Sequence, residues 1–142
     1  MTEFDEQMER LARIFNAEKV PCVSEKTLGQ YLAYLKENII LPCHLTGVED
    51  FLWEEFYVFG PGDSDEYEEL KKTQASYTDT FQLLHFEDEV DIDHGIFVKV
   101  RRIIGVNRKQ FVLELSWLKC TDETSGNDQL LDDYDTWFTN FR

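Results

Sequence analysis

Apolar side chains recur at helical spacing near the start of the chain: Phe4, Met8, Leu11, Ala12 and Phe15 are separated by charged residues. That period predicts an amphipathic helix over 3–16. Pro21 closes the short Lys19-Val20 connection, and Ser24 is placed to cap a second helix. Leu28, Tyr31, Leu32, Leu35 and Ile39 form its apolar stripe. This helix must end before Pro42, because a proline pushes the residue ahead of it out of the helical region.

The period then changes to two. Over 51–59, Phe51, Trp53, Glu55, Tyr57 and Phe59 alternate with Leu52, Glu54, Phe56 and Val58, with large apolar groups in both sets. The pattern predicts a strand packed on two faces and broken by Gly60-Pro61-Gly62. Asp63 with Glu66 three residues on resembles a capping box, which predicts a short exposed helix over 65–72. The polar run 73–80 reads as loop. Strands are expected at 81–86, 96–104 and 111–118, with 105–109 as a hairpin connection between the last two. After the polar stretch 121–128, Leu130, Leu131, Tyr134, Trp137, Phe138 and Phe141 mark the broad apolar face of a final helix.

Four or five short antiparallel strands with tight connections cannot close a large sandwich. They suit a small, strongly bent sheet or SH3-like barrel with helices covering one side, so the fold class is α+β. We expect one domain over 1–142. It would hold two helices in 1–41, a β core with the inserted helix in 42–120, and one C-terminal helix in 121–142. A chain of 142 residues can bury a real core without disulfide staples.

Charge narrows the partners. The chain carries 29 acidic against 14 basic side chains, a formal charge of -15. Such a surface repels nucleic acid and anionic membranes, so neither is an expected partner; it favours cations and basic protein surfaces. The opening Met1-Thr2-Glu3-Phe4-Asp5-Glu6 is acidic where a secretion signal is basic and then apolar, and the apolar runs are too short for a membrane span. Cys22, Cys43 and Cys120 lack CxxC spacing and read as reduced, mostly buried thiols. The expected location is cytoplasmic.

Catalytic patterns are missing. His44, His85 and His94 sit in no HxH or HExxH context, and no GxGxxG, Walker A or GxSxG element occurs. Cys43-His44 are neighbours that a strand would point to opposite faces, so they do not form a nucleophile and base. Glu69-Leu70-Lys71 falls in a predicted helix and Phe97-Val98-Lys99 lacks the acid that a metal nuclease needs. Lys99, Arg101, Arg102, Arg108 and Lys109 cluster on one hairpin, where pairing with local carboxylates or solvation accounts for them. We expect no enzyme.

Negative charge gathers in three places. The first holds Asp63, Asp65, Glu66, Glu68 and Glu69; the third holds Asp122, Glu123, Asp128, Asp132, Asp133 and Asp135. The second, Glu87, Asp88, Glu89, Asp91 and Asp93, precedes Gly95 and is the candidate metal site. Glu89, Asp91 and Asp93 alternate, which places them on one face of an extended segment, and the glycine permits a sharp turn. Calcium takes six to eight oxygens from flexible carboxylates and carbonyls, so this is suitable material. It is not an EF-hand: the glycine comes one place late, and Val100 stands where the bidentate glutamate is needed. Solvation competes with this reading, since two carboxylates about 6 Å apart in water repel by only about 0.7 kcal/mol.

The stretch Tyr31-Leu32-Ala33-Tyr34-Leu35-Lys36-Glu37-Asn38-Ile39-Ile40-Leu41-Pro42 resembles the opening of the cyanobacterial-type calcium-binding protein family. In that family a tyrosine- and leucine-rich helix runs into an apolar-proline step, followed by a small SH3-like sheet. Gly95-Ile96-Phe97-Val98-Lys99-Val100 and Phe111-Val112-Leu113-Glu114-Leu115 suit that sheet, and the tail Asp132–Phe138 is similar to that of bacterial relatives of the group. Cys43 stands where an aromatic residue is expected, and 60–80 read as an insertion. The resemblance implies calcium binding through acidic loops, in buffering or signalling, without catalysis. The alternative is an acidic interaction protein, of immunity or inhibitor type, that covers a basic partner surface.

Overall fold

Helix α1, Glu3–Ile14, starts at Thr2, whose hydroxyl accepts from the Asp5 amide at 3.1 Å. Helix α2, Glu25–Asn38, starts at Ser24 in the same way, with Thr27 as its reciprocal partner. Both agree with the periodicity. The computed structural model describes residues 2–142. After α2 come β1 (His44–Gly47), α3 (Glu55–Val58), α4 (Ser64–Leu70), β2 (Thr80–Asp91), β3 (Gly95–Ile104), β4 (Gln110–Glu114), β5 (Leu118–Cys120) and α5 (Gly126–Asn140).

The strands form one antiparallel sheet in the order β4-β3-β2-β1-β5. Its two edge strands are joined only by a 3-10 turn, Leu115–Trp117. Four residue steps span at most about 14 Å, whereas five flat strands would set the edges about 19 Å apart. The sheet must therefore bend sharply. It nevertheless stays open, because β4 and β5 are not hydrogen-bonded to each other. The expected closed SH3-like barrel is corrected to an open, bent five-stranded sheet, with five α-helices in place of the expected four.

Two strand expectations fail for identifiable reasons. Residues 51–59 are helical: a 3-10 turn over Leu52–Glu54 runs into α3. Apolar groups on both sides of the alternation left the period undecided, and burial of one helical face decides it. Phe51 and Glu54 are buried, and Trp53 Nε1 donates to the Ala75 carbonyl at 2.7 Å. The expected strand 111–118 is β4, the 3-10 turn and the start of β5, since a straight strand could not pass from one sheet edge to the other. The short strand β1 has too few residues to show a period.

Between sheet and helices lies an aromatic core. Trp137 and Tyr134 of α5 are fully buried, as is Tyr31 of α2. Tyr31 stacks on Trp137 at 5.1 Å and meets Tyr134 edge-on at 5.3 Å. Asp133 on α5 ties α1 down through Arg10, whose Nε and Nη2 donate to its two oxygens at 2.9 and 3.0 Å. Among the described residues, no helix is long and apolar enough to cross a membrane.

Candidate functional site

The second acidic cluster does not lie on a loop, as expected, but on strand β2 and its turn into β3. Pairing places Phe86 opposite Val98 and Val90 opposite Ile96. Glu87, Asp88 and Glu89 therefore oppose Phe97 alone, and this bulge pushes them out of the ladder. Asp88 and Glu89 are exposed, and Glu87 is half-buried. Together with Asp91 they line an open groove of about 590 Å³ whose apolar wall is Val90, Phe97 and Val112.

The turn itself is built by Asp91, whose Oδ1 accepts from the amides of Asp93 and His94 at 2.8 and 2.9 Å. These two bonds hold its carboxyl below the usual range. Gly95 follows with φ +80°, and a Cβ there would collide with the Tyr134 hydroxyl. The close approach serves a purpose: Tyr134 accepts the Ile96 amide at 2.9 Å, docking the hairpin on α5.

Some of the carboxylates are already engaged. Lys36 reaches Asp88 at 2.6 Å and lowers its pKa by hydrogen bond and charge. Arg142 lies 3.9 Å from Asp93, and His85 lies 3.8 Å from Glu87. Glu89 makes no hydrogen bond or ion pair with a described residue. Among the described residues, no three His, Cys, Asp or Glu side chains converge as a metal cage. Glu87, Asp88, Glu89 and Asp91 are right in kind and share one groove, which Asp93 does not line, and binding an ion would require the five to gather.

The other clusters differ. In the first, Asp63 caps α4, Glu66 accepts from the Tyr57 hydroxyl, and Glu68 and Glu69 pair with Lys71 and Lys72. In the third, Asp133 is consumed by Arg10, and Asp122 accepts from Thr124. That leaves Glu123 just before α5 and Asp128, Asp132 and Asp135 along one side of it. Burial, then the nearby charges of Asp132, Glu123 and Asp122, pushes the Asp128 carboxyl above its ordinary range. Burial and Asp132 do the same to Asp135.

This stripe makes a prediction with a definite sign. Asp128 and Asp135 hold protons more tightly folded than unfolded, so their ionisation penalises the fold. The penalty is full above their folded-state pKa and disappears as the pH falls below the unfolded carboxyl range. Asp88 and Asp91 act oppositely: the stability they lend is present above the unfolded pKa and is lost as pH falls through their lowered values. Asp132→Asn is accordingly expected to stabilise the chain at pH 7 by about 0.5 kcal/mol. Thermal melts should show that gain fading in high salt and near pH 4.

Several sequence candidates are settled by placement. Burial, with Cys120 alongside, pushes the Cys43 thiol up to about 12, so it offers no thiolate at neutral pH. Cys120 is also buried and Cys22 is exposed; all three are free. Arg102 leaves the basic hairpin cluster altogether: it is fully buried, with Nε 2.8 Å from Asp79.

Sequence reasoning missed the buried polar network under α3 and α4. Glu54, fully buried, accepts from the amides of Phe51 and Tyr77, the Ser76 hydroxyl and the Tyr67 hydroxyl. Ser76 also gives its amide to Asp79, the partner of Arg102. The available signal was an acid within an aromatic run, which a helical reading would have turned inward.

These elements define an α+β fold with helices packed on one bent antiparallel sheet. The crystal structure of Anabaena CcbP shares it, with a TM-score of 0.54 over 96% of this chain and 92% of that one, at 14% sequence identity. No protein-family model matches the chain, and no curated protein matches it.

Proposed function

We propose that this chain is a non-catalytic acidic binding protein built on the open, bent five-stranded sheet. Its ligand is calcium, held by Glu87, Asp88, Glu89, Asp91 and Asp93 on the β2–β3 hairpin. The observation that supports this most is the bulge, which turns Glu87, Asp88 and Glu89 outward beside Asp91 into one groove. The ion suited to such donors is large, oxygen-seeking and tolerant of irregular geometry, which favours calcium over magnesium. The sequence resemblance to cyanobacterial-type calcium-binding proteins and the fold shared with the Anabaena protein point the same way. Asp88 would have to release Lys36 to reach the ion.

Neutralisation tests the location. In Glu87→Gln/Asp88→Asn/Glu89→Gln/Asp91→Asn, the asparagine at 91 keeps a turn acceptor while the charge is lost. This variant is expected to lose the rise in melting temperature that millimolar calcium gives the parent chain. Asp128→Asn/Asp132→Asn/Asp135→Asn should keep it. The reverse pattern would move the site to α5. A basic protein partner is the second reading, favoured by an exposed apolar face on the 52–59 helix.

A further inference from the structure

The helical segment 52–59 is amphipathic in an unusual sense: its inner and outer faces are both apolar. The inner face is clasped. Tyr57 stacks on Tyr67 at 5.3 Å with planes 7° apart, and Trp53 packs on Tyr67 at 5.6 Å. The outer face is bare. Leu52, Phe56 and Phe59 are 71%, 55% and 79% exposed, and their spacing of four and then three residues stacks them along one side of the helix. The exposed area is on the order of 400 Å², the size at which an apolar patch on a monomer is often functional.

The surroundings select the occupant. Beside Leu52 opens a groove of about 530 Å³ bordered by Glu49, Asp50, Glu55 and Asp135, with Arg142 as its cationic side chain. Trp117 and Phe138 are aromatic groups in its wall. A second copy of this chain would bring another 15 negative charges to a surface already acidic, so self-association is opposed. Anionic membranes are opposed for the same reason. An apolar stripe about two helical turns long beside a carboxylate-lined groove matches a helix with one apolar and one basic face.

We propose that Leu52, Phe56 and Phe59, with the Glu49–Asp50–Glu55 groove, form a docking site for a basic amphipathic helical segment of a partner protein. The apolar side chains of that segment lie over the two phenylalanines, and a lysine or arginine enters the groove. The groove shares Arg142 with the β2–β3 hairpin, where it lies 3.9 Å from Asp93, but Leu52, Phe56, Phe59, Glu49, Asp50 and Glu55 are not among the proposed calcium donors.

The test uses the full chain and a labelled leucine–lysine amphipathic peptide of about 18 residues, long enough to form a helix when bound. Fluorescence anisotropy should show binding. It should weaken at least about tenfold in Phe56→Ser/Phe59→Ser, which removes no charge, and again in Glu49→Gln/Asp50→Asn/Glu55→Gln. Phe59 is mostly exposed and Phe56 meets Tyr57 edge-on at 5.1 Å, so the serine variant should stay folded with a slightly lower melting temperature; Leu52→Gln supplies a second, single-site variant. A peptide with glutamate in place of lysine should not bind. Unchanged affinity in the serine and Leu52 variants would overturn the proposal, leaving only diffuse charge attraction. So would sedimentation showing a parent dimer that Phe56→Ser/Phe59→Ser dissociates, since a second copy would then cover the face.

Discussion

Glu54→Ala is expected to lower the unfolding free energy by about 3–5 kcal/mol, because it strands four donors at once, two buried and two part-buried. The amides of Phe51 and Tyr77 and the hydroxyls of Tyr67 and Ser76 all converge on that carboxylate. Domains of this size are stable by only about 5–15 kcal/mol, so the loss would be a large share of the total. Glu54→Gln should lose less but still measurably. An amide presents one oxygen where two are needed, and its NH2 group faces donors. Urea unfolding measures both. The helix that carries Leu52, Phe56 and Phe59 is anchored through Glu54, so Glu54→Ala should also loosen the 52–59 segment before the sheet melts. Hydrogen exchange would register that loosening locally.

Arg102→Ala is expected to cost about as much, again about 3–5 kcal/mol, by leaving Asp79 buried without its cation. Arg102 is fully buried on β3. Its Nη1 and Nη2 donate to Asn107 and to the Gln74 carbonyl at 3.0 and 2.6 Å, and its Nε lies 2.8 Å from Asp79. The Nε contact is an ion pair rather than an aligned hydrogen bond. Arg102→Lys keeps the charge but not the fork, so an intermediate loss is expected. Because Ser76 bonds both Glu54 and Asp79, the double variant should cost less than the sum of the two single ones. Additive losses would mean that the two carboxylates are independent.

The helices were legible where local chemistry and burial agree. Ser24 and Asp63 cap their helices as their positions suggested, and the 3.6-residue stripe of Leu130 to Phe138 is the buried face of α5. The β2–β3–β4 meander was legible too, but β2 runs on to Asp91 because the bulge lets charged residues sit in a strand. The 51–59 segment was not legible, because a run with apolar residues on every side carries no period. Its helical state is decided by partners more than ten residues away, chiefly Tyr67, Ala75 and Ser76. The closing of a barrel was over-read, since short strands imply curvature but not a hydrogen-bonded seam between β4 and β5. Of the candidate site, the carboxylates were visible in sequence. Their engagement with Lys36, Arg142 and the hairpin amides depends on how α2 and the C-terminus pack, which no local pattern encodes.

Calorimetric titration of the full chain with calcium, with magnesium as the control, bears most directly on whether these carboxylates gather an ion. The expected result is a saturable calcium heat and a higher melting temperature, worth about 2.7 kcal/mol at a hundredfold excess over the dissociation constant. Magnesium should give a weaker response. No heat and an unmoved melting curve at millimolar calcium would contradict the account and leave the hairpin acids as solvated surface.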